Sequence, residues 1–173
     1  VAARCWRSAE IIATGVLTAV ITVASNGVYF TDRNHTTSEG IISVVPSAGG
    51  PSVVLAKEQA FPNFIASDSR RVFWLDQWPS DVKAMDQTGG AITTLYAAPA
   101  ATGRPNGVWL DETNLYFTDS DTGNVMKVQK EGGPVATVAK GSIGVSGIVG
   151  DAEYLYWVIE APTECGRVLR IHK

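Results

Sequence analysis

Val28-Tyr29-Phe30-Thr31-Asp32 is written four times along the chain. It returns as Val72-Phe73-Trp74-Leu75-Asp76, as Leu115-Tyr116-Phe117-Thr118-Asp119 and as Leu155-Tyr156-Trp157-Val158-Ile159. Tyr29, Phe73, Tyr116 and Tyr156 stand 44, 43 and 40 residues apart. A repeat of about 40–50 residues signals a repeat architecture, and strand-rich units of that length point to propeller blades. The expected fold is therefore all-β: a β-propeller of four-stranded antiparallel blades. A propeller is a scaffold, so its function lies in loops that differ between blades.

The third unit shows the grammar of a blade. Gly107-Val108-Trp109-Leu110 reads as the innermost strand, and Asp111-Glu112-Thr113-Asn114 as a turn whose side chains bond their own backbone. Leu115 to Thr118 alternates as a second strand, and Asp119 to Gly123 is a polar loop. Asn124 to Val128 is the third strand, Gly132-Gly133 a tight turn, and Val135 to Ala139 the fourth strand. The first unit gives Val20 to Val23, Val28 to Thr31, Ile41 to Val45 and Val53 to Ala56, with Gly49-Gly50 before the last. The second gives Phe64 to Ala66, Val72 to Leu75, Val82 to Met85 and Ile92 to Leu95, with Gly89-Gly90 in the same place. The fourth gives Gly147 to Val149, Leu155 to Val158 and Arg167 to Ile171.

Four repeats are thus expected, three complete and one split between the termini. Glu10 to Gly15 looks like an outermost strand, so residues 1–16 belong to a preceding or closing blade. Blades then occupy 17–60, 61–103 and 104–145, with an incomplete blade at 146–173. Either the first strand completes the last blade in a closed four-bladed ring, which removes sheet edges, or the chain is a fragment of a larger ring. The start at Val1 and the stop after Lys173 favour the fragment.

Composition narrows the partners. Charged residues are 18%, and the formal net charge is −3, so no basic stripe awaits nucleic acid. The longest apolar stretch, Ile11 to Ala24, is interrupted by Thr14, Gly15, Thr18 and Thr22 and is too short to span a bilayer. It fits the repeat better than it fits a signal peptide. Cys5 and Cys165 lack C-x-x-C spacing; one disulfide and two separate thiols both remain open.

In the third unit Pro105, Gly107, Val108, Asp111, Leu115, Tyr116, Phe117, Thr118 and Asp119 are followed by Gly123, Val125, Lys127, Val128, Gly132 and Gly133. This pattern resembles the repeat of bacterial secreted or lipoprotein-type propellers, which are similar to the Y-W-T-D propellers. The resemblance runs from about Glu10 to Lys173. It implies a ring of six or more blades, and secretion or attachment to the cell envelope. Ser25 departs from it at the first turn Asp, and the fourth unit lacks the Thr-Asp pair. Arg104-Pro105-Asn106-Gly107-Val108 also resembles gluconolactonase-type hydrolases, which implies a divalent-metal role for Asn106 alone. The acidic ligands of that family have no match here; Ser146 stands where a later blade would offer one. A hard cation needs about six oxygens, so no cofactor is expected beyond a divalent ion such as calcium.

The remaining candidates sit in uneven loops. Asp32, Asp76 and Asp119 end the second strands and are expected to accept backbone N–H groups of the next turn. Asp68, Asp111 and Asp151 are expected to shape hairpins. Pro62-Asn63 and Pro105-Asn106 precede innermost strands, at the channel mouth. The loops 32–40, 76–81, 119–123 and 159–166 share that face, so Trp78, His35, Asn63, Asn106, Arg104 and Glu160 should crowd one surface. Trp78, beside Pro79, suits sugar stacking or a protein hot spot, although packing over the next blade is an equal reading. Trp74, Trp109 and Trp157 are expected in the core. His35 and His172 are the only histidines, and no Ser-centred elbow accompanies them. The expected function is a non-catalytic binding module taking a protein, peptide or glycan. The alternatives are a metal-dependent hydrolase, lactonase or lyase, and a purely structural repeat of a larger surface protein.

Overall fold

The computed structural model describes residues 11–12, 14, 20–33, 39–77, 79–99, 103–141, 143–160 and 165–173. The first sheet is β1 (Ile21–Ala24), β2 (Gly27–Arg33), β3 (Glu39–Pro46) and β4 (Val53–Ala60). The second is β5 (Pro62–Ser67), β6 (Arg71–Asp76), β7 (Asp81–Asp86) and β8 (Thr93–Ala97). The third is β9 (Pro105–Leu110), β10 (Asn114–Asp119), β11 (Asn124–Gln129) and β12 (Ala136–Lys140). The fourth holds β13 (Val145–Gly150), β14 (Tyr154–Ile159) and β15 (Arg167–His172). Every pairing is antiparallel between sequence neighbours. These are the strands the repeat predicts, in the predicted order. The expected outer strand at 1–16 falls mostly outside the described residues, and Ile11, Ile12 and Thr14 lie in no strand. No described helix is long and apolar enough to cross a membrane.

The sheets stack as blades. β1 and β2 pack on β5, β5 on β9, and β9 and β10 on β13. Among the described residues no comparable packing joins the fourth sheet to the first. Each seam encloses one apolar cluster, and an aromatic from the later sheet enters each. Trp74 shares a core with Tyr29 and Ile42, Phe117 with Phe73 and Val82, and Trp157 with Tyr116 and Val125. β6 is buried at every residue because sheets cover both its faces, whereas burial along β14 alternates because one face is bare. Trp74 and Trp157 are core as expected. Trp109 is half-buried against the third cluster: its ring is so close to Gly150 that a Cβ there would meet it at 2.7–3.0 Å, and Lys173 Nζ stands 4.7 Å from the ring centre.

The turns obey local chemistry. Gly49, Gly50, Gly89, Gly90, Gly132 and Gly133 all have positive φ, which is what a hairpin needs from a Gly-Gly pair. The Asp68, Asp111 and Asp151 carboxylates do shape hairpins: the Oδ1 of each accepts the backbone N–H groups two and three residues on, at 2.7–2.8 Å. Tyr116 and Tyr156 hydroxyls donate to the Oδ2 of Asp111 and Asp151, each at 2.8 Å. Phe73 has no hydroxyl, and at the matching turn Lys130 Nζ reaches across from the third sheet to Asp68 Oδ2 at 2.9 Å.

The first two sheets are joined by Phe61 alone, at φ 59°, with Glu58 at φ 56° just before it. Side chains rarely adopt this left-handed conformation, which costs about 1–3 kcal/mol. Arg33 lies 4.4 Å over the Phe61 ring.

Candidate functional site

Three inner strands carry a related irregularity near their start. Pro62 and Pro105 pair with Asp76 and Asp119, and directly afterwards the register slips; in β13 Val145 and Ser146 pair with Ile159 and Val158, and the slip follows at Gly147. An extra residue in one strand bends it and re-aims its side chains, and such bulges gather beside binding sites. Asn63 and Asn106 lie in the first two slips, and Ser146 stands directly before the third. All three are half-buried. Glycine lets the last two come close. Gly107 has φ 99°, and a Cβ there would lie 3.3 Å from the N and Cα of Gly147 and 3.1 Å from Thr118 Oγ1.

A ladder of backbone bonds ties the loops at this end into one rim. Ser120 N donates to Arg104 O at 3.0 Å, Gly144 N to Ser120 O at 3.3 Å, and Glu160 N to Gly144 O at 2.9 Å. Ser146 Oγ donates to Glu160 Oε1 at 2.8 Å. The guanidinium of Arg104 pairs with Asp121 at 3.3 Å; both are well exposed, so this pair adds little stability. Among the described residues the side chains of Asn63 and Asn106 have no hydrogen-bond partner, while their backbones belong to β5 and β9. The structure thus brings Arg104, Asn106 and Glu160 to one rim, with Asn63 on the adjoining inner strand. Trp78 and His35 lie outside the described residues.

The recurrent aspartates separate. Asp119 behaves as expected: its Oδ1 accepts the N–H groups of Asp121, Thr122 and Arg104 at 3.1, 3.3 and 2.9 Å. Asp76 differs. It is fully buried, and its Oδ2 accepts from Lys83 Nζ at 2.7 Å, with Asp81 at 3.9 Å from the same amine. Burial raises the Asp76 carboxyl above the usual range, against the lowering by Lys83. Sequence reasoning missed this pair because Lys83 has Met126 as its counterpart in the next blade, so the repeat gave no signal. Asp32 pairs in register with Ile41 and makes further interactions of its own.

Among the described residues no three His, Cys, Asp or Glu side chains gather to hold an ion. Around Arg104 to Asn106 stand the Ser146 hydroxyl and the carboxylates of Glu160, Asp119 and Asp121, which already engage Ser146, backbone N–H groups and Arg104 respectively. Among the described residues two concavities lie elsewhere. One of about 370 Å³ is lined by Ile11, Ile12, Thr14 and Gly50 to Ser52. The other, of about 300 Å³, lies between Glu112, Thr113 and Gln129 to Glu131, at the opposite end of the blades. Cys165 is exposed, and Cys5 falls outside the described residues.

No protein-family model matches the chain, and no curated protein matches it. Solved structures do. A chain from a nidogen/laminin complex matches with a TM-score of 0.68 at 22% identity, over 89% of this chain and 61% of that one. A virginiamycin B lyase from Staphylococcus aureus matches at 0.63 and 16% identity, over 79% of this chain and 46% of that one. Regucalcin, a calcium-binding protein from Agrobacterium tumefaciens, matches at 0.59 and 16% identity, over 78% and 50%. At such identities the likeness shows the fold, a β-propeller, in agreement with the repeat. The chain spans between about half and three-fifths of these neighbours' lengths.

Proposed function

We propose that the chain is a non-catalytic binding module of a secreted or envelope-associated bacterial protein, with its ligand held on the face that carries Asn63, Asn106 and Ser146. One observation carries the reading: three successive inner strands present an uncharged hydrogen-bonding residue beside a register slip, Asn63 and Asn106 within it and Ser146 directly before it, next to the rim of Arg104 and Glu160. Amides and hydroxyls both donate and accept, which suits ligands rich in hydroxyl or amide groups, such as glycans and peptides. Propeller neighbours include a chain from a complex of two proteins and a lyase, so the fold accommodates binding and catalysis alike.

The test is a glycan and peptide array read with the purified chain, followed by titration of the best binder. Asn63→Ala combined with Asn106→Ala should weaken binding at least tenfold while leaving the thermal midpoint within a few degrees. Binding that survives the pair unchanged would place the site elsewhere. The hydrolase alternative retains one feature, Asn106 at a channel-mouth bulge. It would prevail if calcium raised the thermal midpoint and a lactone were hydrolysed in an Asn106-dependent way.

A further inference from the structure

Among the described residues only Glu58 and Phe61 combine a side chain with positive φ, and both stand where the first sheet runs into the second. Such strain persists only where the surroundings dictate it, and it gathers at binding sites. Here the surroundings are explicit. Arg33, Gly40 and Gln59 pair in one row across β2, β3 and β4. Gly40 leaves the middle of that row open: a Cβ there would lie 2.3 Å from Pro62 Cδ. Gln59 is buried beside it; its Nε2 donates to Lys57 O at 2.6 Å, and its carbonyl accepts from Phe61 N at 3.0 Å. Gln77 N donates to Ala60 O at 3.1 Å. The half-buried Phe61 ring is thereby fixed beneath Arg33, with its centre 4.4 Å from Arg33 Cζ. Stacking orients a guanidinium plane without using its N–H groups. Among the described residues no carboxylate stands within ion-pair distance of Arg33. Two residues beyond Phe61 comes Asn63, in the slip that opens β5.

We propose, resting on the binding face set out above, that Arg33 stacked on Phe61 is a subsite for the carboxylate of an acidic sugar, and that the ligand is a glycan carrying one uronate at the edge of the first blade. Arginine presents a planar fork that matches a carboxylate, and a fork already oriented loses less freedom on binding. Asn63, Asn106 and Ser146 then meet hydroxyl groups farther along the same glycan. The acidic group belongs at the Arg33 end. At the other end Arg104 is already paired with Asp121, and Glu160 adds a negative charge. The groups on this face are amides, a hydroxyl and charges, whereas peptides are taken up by apolar grooves or open strand edges.

The test is an array that sets single-uronate oligosaccharides beside their uncharged methyl esters, followed by titration of the tightest acid and its ester. The acid should bind at least about tenfold more tightly, since the ester loses a charged hydrogen-bond acceptor. Added salt should weaken the acid and leave the ester unchanged. Arg33→Ala should bring the acid down to the level of the ester. Arg33→Lys should recover only part of the preference, because an ammonium keeps the charge and lacks the fork. Phe61→Leu keeps an apolar side chain at the joint and removes the stack, so it should reduce the preference as well. The proposal falls if acid and ester bind alike, if the preference survives Arg33→Ala in a folded chain, or if acidic peptides bind and no uronate does. Failure of the binding face looks different. If Asn63→Ala with Asn106→Ala changes nothing while Arg33→Ala still abolishes the preference, the face is wrong and the acidic subsite stands. If the Asn pair weakens acid and ester equally and the acid is no tighter, the face stands and the acidic subsite falls.

Discussion

Replacing Tyr116 by Phe removes one oxygen from the turn that starts β10 and leaves the ring in place. The hydroxyl donates to Asp111 Oδ2 at 2.8 Å while Asp111 Oδ1 holds the N–H groups of Thr113 and Asn114. A hydrogen bond to a charged group contributes about 1.5–3 kcal/mol. Asp111 is half-exposed, so water replaces part of the loss, and about 1–2 kcal/mol is expected. For a chain of 173 residues that lowers the thermal midpoint by roughly 2–8 °C. The pH dependence gives the sharper reading. Burial pushes the Asp111 carboxyl up, but the backbone N–H groups and the Tyr116 hydroxyl outweigh it and hold the group below 3.8. Its contribution is present above 3.8 and lost as pH falls through the lowered value, so the variant's deficit should shrink on acidification. Burial and Asp111 push the Tyr116 hydroxyl up from 10.0 to about 12. That contribution holds below pH 10 and fades between about 10 and 12. Urea melts of wild type, Tyr116→Phe, Asp111→Asn and the double variant, across pH, form the assay. A coupling energy indistinguishable from zero at pH 7 would refute the reasoning.

Lys83→Met should cost about 2–4 kcal/mol at pH 7 by leaving buried Asp76 without its cation; because burial raises that carboxyl, its contribution grows as pH falls, and the deficit in urea melts should narrow towards pH 4. Trp74→Ala, at a fully buried seam position, should lose about 3–5 kcal/mol by the same melts, while half-buried Trp109→Ala should lose less than half as much. Gly107→Ala should destabilise by about 1–3 kcal/mol, since its positive φ and the nearby Gly147 backbone both resist a Cβ. Gly133→Ala, with open space around it, should show the smaller, conformational part alone in a thermal-shift assay.

The blades were legible because a strand with apolar residues on both faces, such as Val72 to Leu75, has to lie between two layers, and the aromatic spacing located each one. The hairpin aspartates were legible for a local reason: Asp68, Asp111 and Asp151 bond backbone groups two and three residues away. The Asp76–Lys83 pair was not, because it depends on which face of one blade meets its neighbour. The slips at Asn63 and Asn106, and the one directly after Ser146, were half visible. The Pro-Asn pairs marked the place, but a register slip belongs to two strands at once and neither records it alone. Trp109 does pack against the cluster of the third seam, but strand membership does not say how far the strand's end is covered, and it stays half-buried.

The single-residue joint at Phe61 also determines how the chain carries mechanical load. Connections between domains usually hold slack that straightens before any bond breaks. Here β4 ends at Ala60 and β5 begins at Pro62, so a pull on either sheet reaches the other at once. The force goes directly into the hydrogen bonds of β4 against β3 and of β5 against β6. The first two blades should therefore yield together as one mechanical unit, and a few glycines inserted at Phe61 would be enough to let them yield separately.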